Sequence, residues 1–67
     1  MLKLRLDRQS GWRYTQDNRY VIHKTYGAHL WWDVRELAAD GTYRLIHSFE
    51  SLKAAREYLE LLTIYQK

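Results

Sequence analysis

Two dipeptides that favour tight turns constrain this chain more than any other feature, because each separates two runs of β-favouring residues. Asp17-Asn18 lies between runs 12–16 and 19–26, and Asp40-Gly41 lies between runs 30–37 and 43–49. Asn, Asp and Gly tolerate the positive φ that tight hairpin turns require. The sequence therefore predicts two consecutive hairpins, separated by Gly27-Ala28 and uninterrupted by proline.

The first residues of the chain predict a further strand. Residues 2–6 alternate leucine with a basic residue, which is the period of a half-buried strand, and the polar segment 7–11 ends in glycine. We expect an antiparallel β-meander of three to five strands. Four of these strands lie in residues 12–49, and the N-terminal segment is the candidate fifth.

From Ser51 onward the apolar period becomes helical. One broad stripe of a helical wheel holds the apolar side chains Leu52, Ala55, Tyr58, Leu59, Leu62 and Tyr65. Ser51 is the expected N-cap, because its hydroxyl can accept a hydrogen bond from an amide of the first turn. With 67 residues the chain forms a single domain, residues 1–67. The predicted fold class is α+β, an antiparallel sheet packed by one C-terminal helix.

Strand parity predicts which side chains face away from this helix. If Leu30, Trp32 and Val34 are in the core, Trp31 and Arg35 point outward. If Tyr20 and Ile22 are in the core, Arg19, Val21 and His23 also point outward.

The outermost strands need a further assumption about their own apolar residues. If Trp12 and Tyr14 are in the core, Arg13 lies outside. In the last run the pattern leaves open whether Leu45 or Ile46 points inward, and a bulge would change the choice. Arg44 joins the outer face if Leu45 is inward.

The motifs of catalysis are missing from the sequence. The chain has no cysteine, no glycine-rich phosphate loop and no His-Glu-x-x-His pattern. Three histidines, at positions 23, 29 and 47, are the remaining metal candidates, but a site needs three or four converging ligands. We therefore expect that the protein is not an enzyme and that it binds no cofactor and no metal.

The charge and the aromatic content indicate a binding role. The net charge is +3, the pI is about 9.4, and 15% of the residues are aromatic. Guanidinium groups pair with phosphates and guanine edges, and exposed rings stack on bases. We expect non-catalytic DNA binding by the outer face of the sheet. The predicted contacts are Arg13, Arg19, Trp31, Arg35 and Arg44.

An alternative role follows from the far side of the helix. Leu61 and Ile64 form an apolar strip there, and such strips commonly mark protein interfaces. Through this strip or an open sheet edge, the protein would bind and modulate a host protein. A homodimer fits both roles. The absence of cysteine, of a leader-like apolar core in residues 1–9 and of a membrane-length apolar run predicts a cytoplasmic location without membrane contact.

The second half of the chain resembles known DNA-binding domains. The residues that carry this resemblance are Trp32, Val34, Asp40-Gly41, Phe49, Ser51, Ala55 and Tyr58. Their order is similar to that in the DNA-binding domain of plant ethylene-response factors and in the arm-site-binding domain of tyrosine integrases. The resemblance implies a three-strand-plus-helix fold whose sheet enters the DNA major groove, with Arg35 as a contacting arginine.

The whole chain also resembles small accessory proteins of actinobacterial phages. This resemblance rests on Gly11-Trp12, on Asp17-Asn18-Arg19-Tyr20 and on the hairpin that holds Trp32. It implies a phage origin and leaves the activity open.

Overall fold

The structure, a computed structural model, describes residues 2–65 and contains one sheet and one helix among them. The elements are β1 (Leu4–Leu6), β2 (Arg13–Thr15), β3 (Tyr20–Tyr26), β4 (Leu30–Leu37), β5 (Tyr43–Phe49) and α1 (Leu52–Tyr65). The strands lie side by side in chain order, and every neighbouring pair is antiparallel. The predicted α+β fold with an antiparallel meander is confirmed. The N-terminal segment forms β1, so that the sheet has five strands.

Both predicted turn dipeptides contain a residue in the left-handed region. Asn18 has a φ of 60° and Gly41 has a φ of 88°. In the first hairpin the Thr15 hydroxyl donates to Asp17 Oδ1 at 2.6 Å and accepts from the Tyr20 amide at 3.1 Å. The Thr15 hydrogen bond is the largest cause that lowers the pKa of Asp17 below its ordinary value. The turn is therefore fixed by its own side chains.

A bulge decides the question that the sequence left open in β5. Val34 lies opposite His47, whereas its neighbour Arg35 lies opposite Leu45, so that Ile46 is the extra residue. Ile46 packs against the core, and Leu45 is exposed with Arg35 on the other face.

Helix α1 packs on strands β3, β4 and β5, and we call the sheet face that it covers the helix side. Ser51 is the N-cap as predicted, because its Oγ accepts from the Ala54 amide at 3.1 Å. The core consists of Tyr20, Ile22, Trp32, Val34, Ala55 and Leu59. The side chain of Tyr65, predicted to extend the apolar stripe, lies outside the described part. α1 is the one helix within residues 2–65, and it is not long and apolar enough to cross a membrane.

Two leucines two positions apart on α1 test this packing. Leu59 is fully buried, whereas Leu61 is 54% exposed. We expect Leu59→Ala to lower the free energy of unfolding by about 2 to 5 kcal/mol, because it leaves a cavity. The control, Leu61→Ala, should change it by less than about 0.5 kcal/mol. Urea denaturation followed by circular dichroism measures both, and equal losses would contradict this packing.

Candidate functional site

The sheet face opposite α1, here called the outer face, holds two of the five predicted contact residues. Trp31 lies opposite Thr25 and Arg35 lies opposite Val21, both on this face as parity predicted. The Trp31 ring is partly buried and meets His29 edge to face, with centroids 6.3 Å apart. Trp31 and Arg35 thus remain candidates for contact through the outer face.

The predicted outward position of Arg13 is wrong. The β2–β3 register places Arg13 opposite the core residue Ile22, so that its side chain lies on the helix side. The prediction assumed that Trp12 and Tyr14 enter the main core. Both rings instead lie on the outer face, where Tyr14 is opposite Val21 and Trp12 stacks on His23.

The remaining two arginines also lie away from the outer face. Arg44 is opposite Glu36, which itself is opposite the core residue Tyr20, so Arg44 belongs to the helix side. Arg19 precedes β3, and its guanidinium lies over the Tyr20 ring and 3.5 Å from Glu36 Oε2. Both ions of this pair are well exposed, so we expect it to add little stability.

Four rings pack together on the outer face, and we call them the ring cluster: Trp12, Tyr14, His23 and Tyr43. Trp12 stacks on His23 with centroids 4.3 Å apart and planes 10° apart. Tyr43 meets Trp12 at 6.4 Å and Tyr14 at 6.0 Å, edge to face in both cases. Such pairs are favourable beyond the area that they bury. The cluster is a second, smaller core on the face that parity had left to solvent.

Val21 shows how completely this second core covers the sheet. Its neighbours across the strands are Tyr14 and Arg35, and its side chain is 0% exposed. Around Val21 the outer face is therefore a packed surface, and a ligand there meets side chains that are already in contact with one another.

Arg35 is held by two hydrogen bonds across the outer face. Its Nε donates to His23 Nε2 at 2.9 Å, and its Nη1 donates to the Tyr43 carbonyl at 3.2 Å. An arginine can only donate, so His23 Nε2 accepts and Nδ1 carries the hydrogen. That Nδ1 lies 3.2 Å from the Lys24 carbonyl, which accepts the hydrogen bond. The guanidinium plane of Arg35 is thus oriented before any ligand arrives.

Tyr43 links β5 to the hairpin formed by β2 and β3. Its hydroxyl donates to the Asn18 carbonyl at 2.7 Å, across a sequence separation of 25 residues. Burial raises the pKa of this hydroxyl above its ordinary value. Tyr43 therefore connects the last strand of the sheet to the turn between β2 and β3.

Asp33 is the carboxylate of the outer face, and it is almost buried. Its two oxygens accept from the hydroxyls of Thr25 and Ser48, each at 2.6 Å. Burial alone would raise its pKa. The hydrogen bonds from Ser48 and Thr25, together with nearby positive charge, outweigh burial and hold the pKa below its ordinary value. Asp33 therefore stays ionised at neutral pH and offers little accessible negative charge.

The charged side chains are distributed unevenly over the two faces. Arg5 lies opposite Tyr14, and its guanidinium is 5.2 Å from the centre of that ring. With Arg35 it gives the outer face two cations against the one buried carboxylate. The other described carboxylates lie in turns, on the helix side or in and beside α1: Asp7, Asp17, Glu36, Asp40, Glu50, Glu57 and Glu60. Apart from Asp17, which lies near Tyr43 at the edge of this face, the accessible charge of the outer face is positive.

Sequence reasoning missed Arg5 and the ring cluster as parts of this face. The signal for Arg5 was present, because residues 2–6 alternate leucine with basic residues. The positions of Trp12 and Tyr14 had no such signal, since large rings suit either face of a sheet that is covered on both sides.

The three histidines lie apart from one another. His23 is in the ring cluster, His29 is in the turn before β4, and His47 is on the helix side against Phe49 and Tyr58. Within residues 2–65 no group of three or more potential ligand side chains is placed to hold a metal ion.

The apolar strip on α1 is present. Leu61 and Ile64 are 54% and 56% exposed and stand three positions apart, which places them on neighbouring turns. Ile64 also lines a shallow groove with Leu2, Thr15 and Glu60.

The depressed pKa of Asp33 predicts a pH dependence of stability. A carboxyl whose pKa is lowered on folding stabilises the protein above its ordinary pKa of 3.8, and that stability is lost as the pH falls through the folded value. We expect Asp33→Asn to lower the melting temperature at pH 7 and to flatten its decline between about pH 5 and pH 2. Thermal unfolding across this range, with Glu57→Gln as the control for charge, measures the effect. Parallel curves for Asp33→Asn and the unmodified protein would contradict this role.

Comparison with known proteins gives no further guide to this site. No protein-family model, curated protein or solved structure matches the chain. The resemblances to ethylene-response factors, to integrase arm-binding domains and to phage accessory proteins therefore stay predictions, and a proposal about function rests on the geometry.

Proposed function

We propose that this protein binds DNA without catalysis, through the outer face of its sheet. The observation that carries the proposal is the combination of arginines and aromatic rings on one packed face whose carboxylate is nearly buried. Phosphates favour a face with positive accessible charge, and bases stack on exposed aromatic planes. Arg5, Arg35 and the partly buried ring of Trp31 bring both groups to this face.

Arg5 and Arg35 are the proposed phosphate contacts. Arg5 is exposed and lies beside the Tyr14 ring, and its Nη2 donates to Asn18 Oδ1, so its remaining donors, Nε and Nη1, are the ones left for a phosphate. Arg35 uses Nε and Nη1 within the protein, and its Nη2 is left to donate to a phosphate oxygen or a guanine edge. Because Arg35 is already oriented, binding costs little of its side-chain entropy.

Trp31 is the proposed stacking residue. It lies near the start of β4, outside the ring cluster, and its ring is only partly buried. A base stacked on this ring is worth about 1 to 3 kcal/mol. Arg13, Arg19 and Arg44 are not contacts of the outer face in this proposal, because their side chains lie elsewhere.

Fluorescence anisotropy at two salt concentrations tests the proposal, with duplex and single-stranded DNA in separate titrations. We expect binding that weakens steeply with salt, because each phosphate contact releases a counterion. Trp31→Ala should weaken binding by about 1 to 3 kcal/mol with little change in the salt slope. Arg5→Gln should weaken binding and reduce the slope by about one for duplex DNA.

Arg44→Gln is the matched control for this titration, because it removes the same charge from the helix side. If it weakens binding as much as Arg5→Gln, the interaction depends on net charge and the outer face is not the site. No binding to either form of DNA at low salt would also exclude the proposal.

A second candidate function has its own observation, the exposed pair Leu61 and Ile64 on α1. The accompanying feature is the open edge of β5, a seven-residue strand that pairs on one side alone. A host protein or a second copy of the chain would cover either surface. In this case the function is modulation of a protein partner.

A photo-cross-linking amino acid at position 61 tests the second candidate. We expect one defined product with the partner, or a dimer of the chain, because an apolar contact fixes the neighbour at this position. The control places the same group at Lys53, an exposed position near the start of α1. Identical product patterns from positions 61 and 53 would show that the strip is no interface.

A further inference from the structure

Two cationic side chains on the helix side lie against the same indole ring. Arg13 Cζ is 5.4 Å and Lys24 Nζ is 5.2 Å from the centre of the Trp32 ring, which is 8% exposed. The register brings them together: Arg13 is opposite Ile22, Lys24 is two residues further along β3, and Lys24 is opposite Trp32. The two cations are thus diagonal neighbours on one face.

No carboxylate of the described residues forms an ion pair with either of these cations. Among residues 2–65 the one ion pair joins Arg19 to Glu36, and neither Arg13 nor Lys24 has a carboxylate within 4.0 Å. The indole attracts each cation separately, but it does not reduce the repulsion between them. An anion that contacts both groups would lower that repulsion, so the pair favours an anionic ligand.

The same two side chains line a surface depression at the end of the sheet where β3 finishes. Its other lining residues are Leu6, Ser10, Gly11, Trp12 and Tyr26. Tyr26 is 76% exposed, the most exposed large hydrophobic side chain within the described residues. It stands two positions after Lys24 on β3, so both point to the helix side. An aromatic plane therefore lies open beside the two cations.

We propose that Arg13 and Lys24 form a phosphate-binding site, with Tyr26 beside it as a platform for the base of the same nucleotide unit. A guanidinium and an ammonium both donate charge-assisted hydrogen bonds to phosphate oxygens. The exposed tyrosine ring adds a sequence-tolerant stacking surface. This site is separate from the outer face, since Arg13 and Lys24 lie on the opposite side of the sheet.

Trp12 connects this phosphate site to the outer face. Its ring belongs to the ring cluster, and it also lines the depression. A strand of nucleic acid that lies on the outer face can therefore pass around the end of the sheet to the phosphate site. That the phosphate is part of a nucleic acid rests on the proposed function, whereas the affinity for phosphate does not.

The first test is titration of isotope-labelled protein with inorganic pyrophosphate at low salt, followed by nuclear magnetic resonance. We expect saturable shifts of the Lys24 and Tyr26 amides and of the Trp32 indole NH, together with a higher melting temperature, because a ligand that binds the folded state stabilises it. Arg13→Gln and Lys24→Gln should each weaken pyrophosphate binding by about tenfold or more.

The control is again Arg44→Gln. It removes a cation from the same side of the sheet, but near the start of β5 and away from the phosphate site. Circular dichroism of each variant separates loss of the site from loss of the fold. If Arg13 and Lys24 only cover Trp32, their variants will lose stability while pyrophosphate leaves the spectrum of the unmodified protein unchanged. That result, or equal weakening by Arg44→Gln, overturns the proposal.

Two further ligands identify the source of the phosphate. Deoxyadenosine monophosphate tests a free nucleotide, and a ten-residue oligothymidylate tests a strand. If the strand binds more tightly than the nucleotide, and both Lys24→Gln and Trp31→Ala weaken it, the site serves the proposed DNA function. If pyrophosphate and the nucleotide bind while the strand does not, the phosphate site stands and the DNA proposal fails.

Discussion

The burial of β3 on both faces is the constraint on which the rest of this structure depends. Four consecutive residues of this strand, 20–23, are buried, and two of them, Val21 and Ile22, have no exposed surface. A strand covered on both sides needs two layers of packing, and residues 2–65 contain one helix. The second layer is the ring cluster with Arg35. The outer face therefore combines the packing of a core with the exposure of a surface.

This two-sided burial explains where sequence reasoning succeeded and where it failed. The turns at Asn18 and Gly41, the bounds of β4 and the N-cap at Ser51 follow from local chemistry, which does not depend on what covers the sheet. Which side chains of β2 point toward α1 does depend on what covers the sheet. Parity predicts alternation but not its phase, and in a three-residue strand of Arg, Tyr and Thr the phase was assigned by placing Trp12 and Tyr14 in the core. One wrong assumption about these rings moved Arg13 to the wrong face.

Only part of the candidate site could be predicted from the sequence. Trp31 and Arg35 sit on a long strand whose apolar alternation is clear, so their facing could be read from the sequence. Arg44 precedes the bulge at Ile46, which sets its facing and whose position no local signal reveals. The hydrogen bonds of Arg35 to His23 and Tyr43 depend on the register of three strands at once. Residue type and parity therefore identify candidates, while tertiary contacts decide which of them are free to bind.

The two proposed surfaces differ in how much freedom their side chains lose on binding, and this difference assigns them different parts in recognition. Arg35 is fixed by two hydrogen bonds, so in the proposed complex it would present donors at set positions and discriminate between ligands by geometry. Lys24 is exposed and is held by its contact with Trp32, so its ammonium adjusts to a phosphate wherever the backbone passes. A nucleic acid that contacts both surfaces would gain orientation and salt-dependent affinity from the outer face, and further salt-dependent affinity from the end of the sheet. The ring of Trp12 borders both surfaces, so in this proposal it is the point at which the two contributions would be coupled.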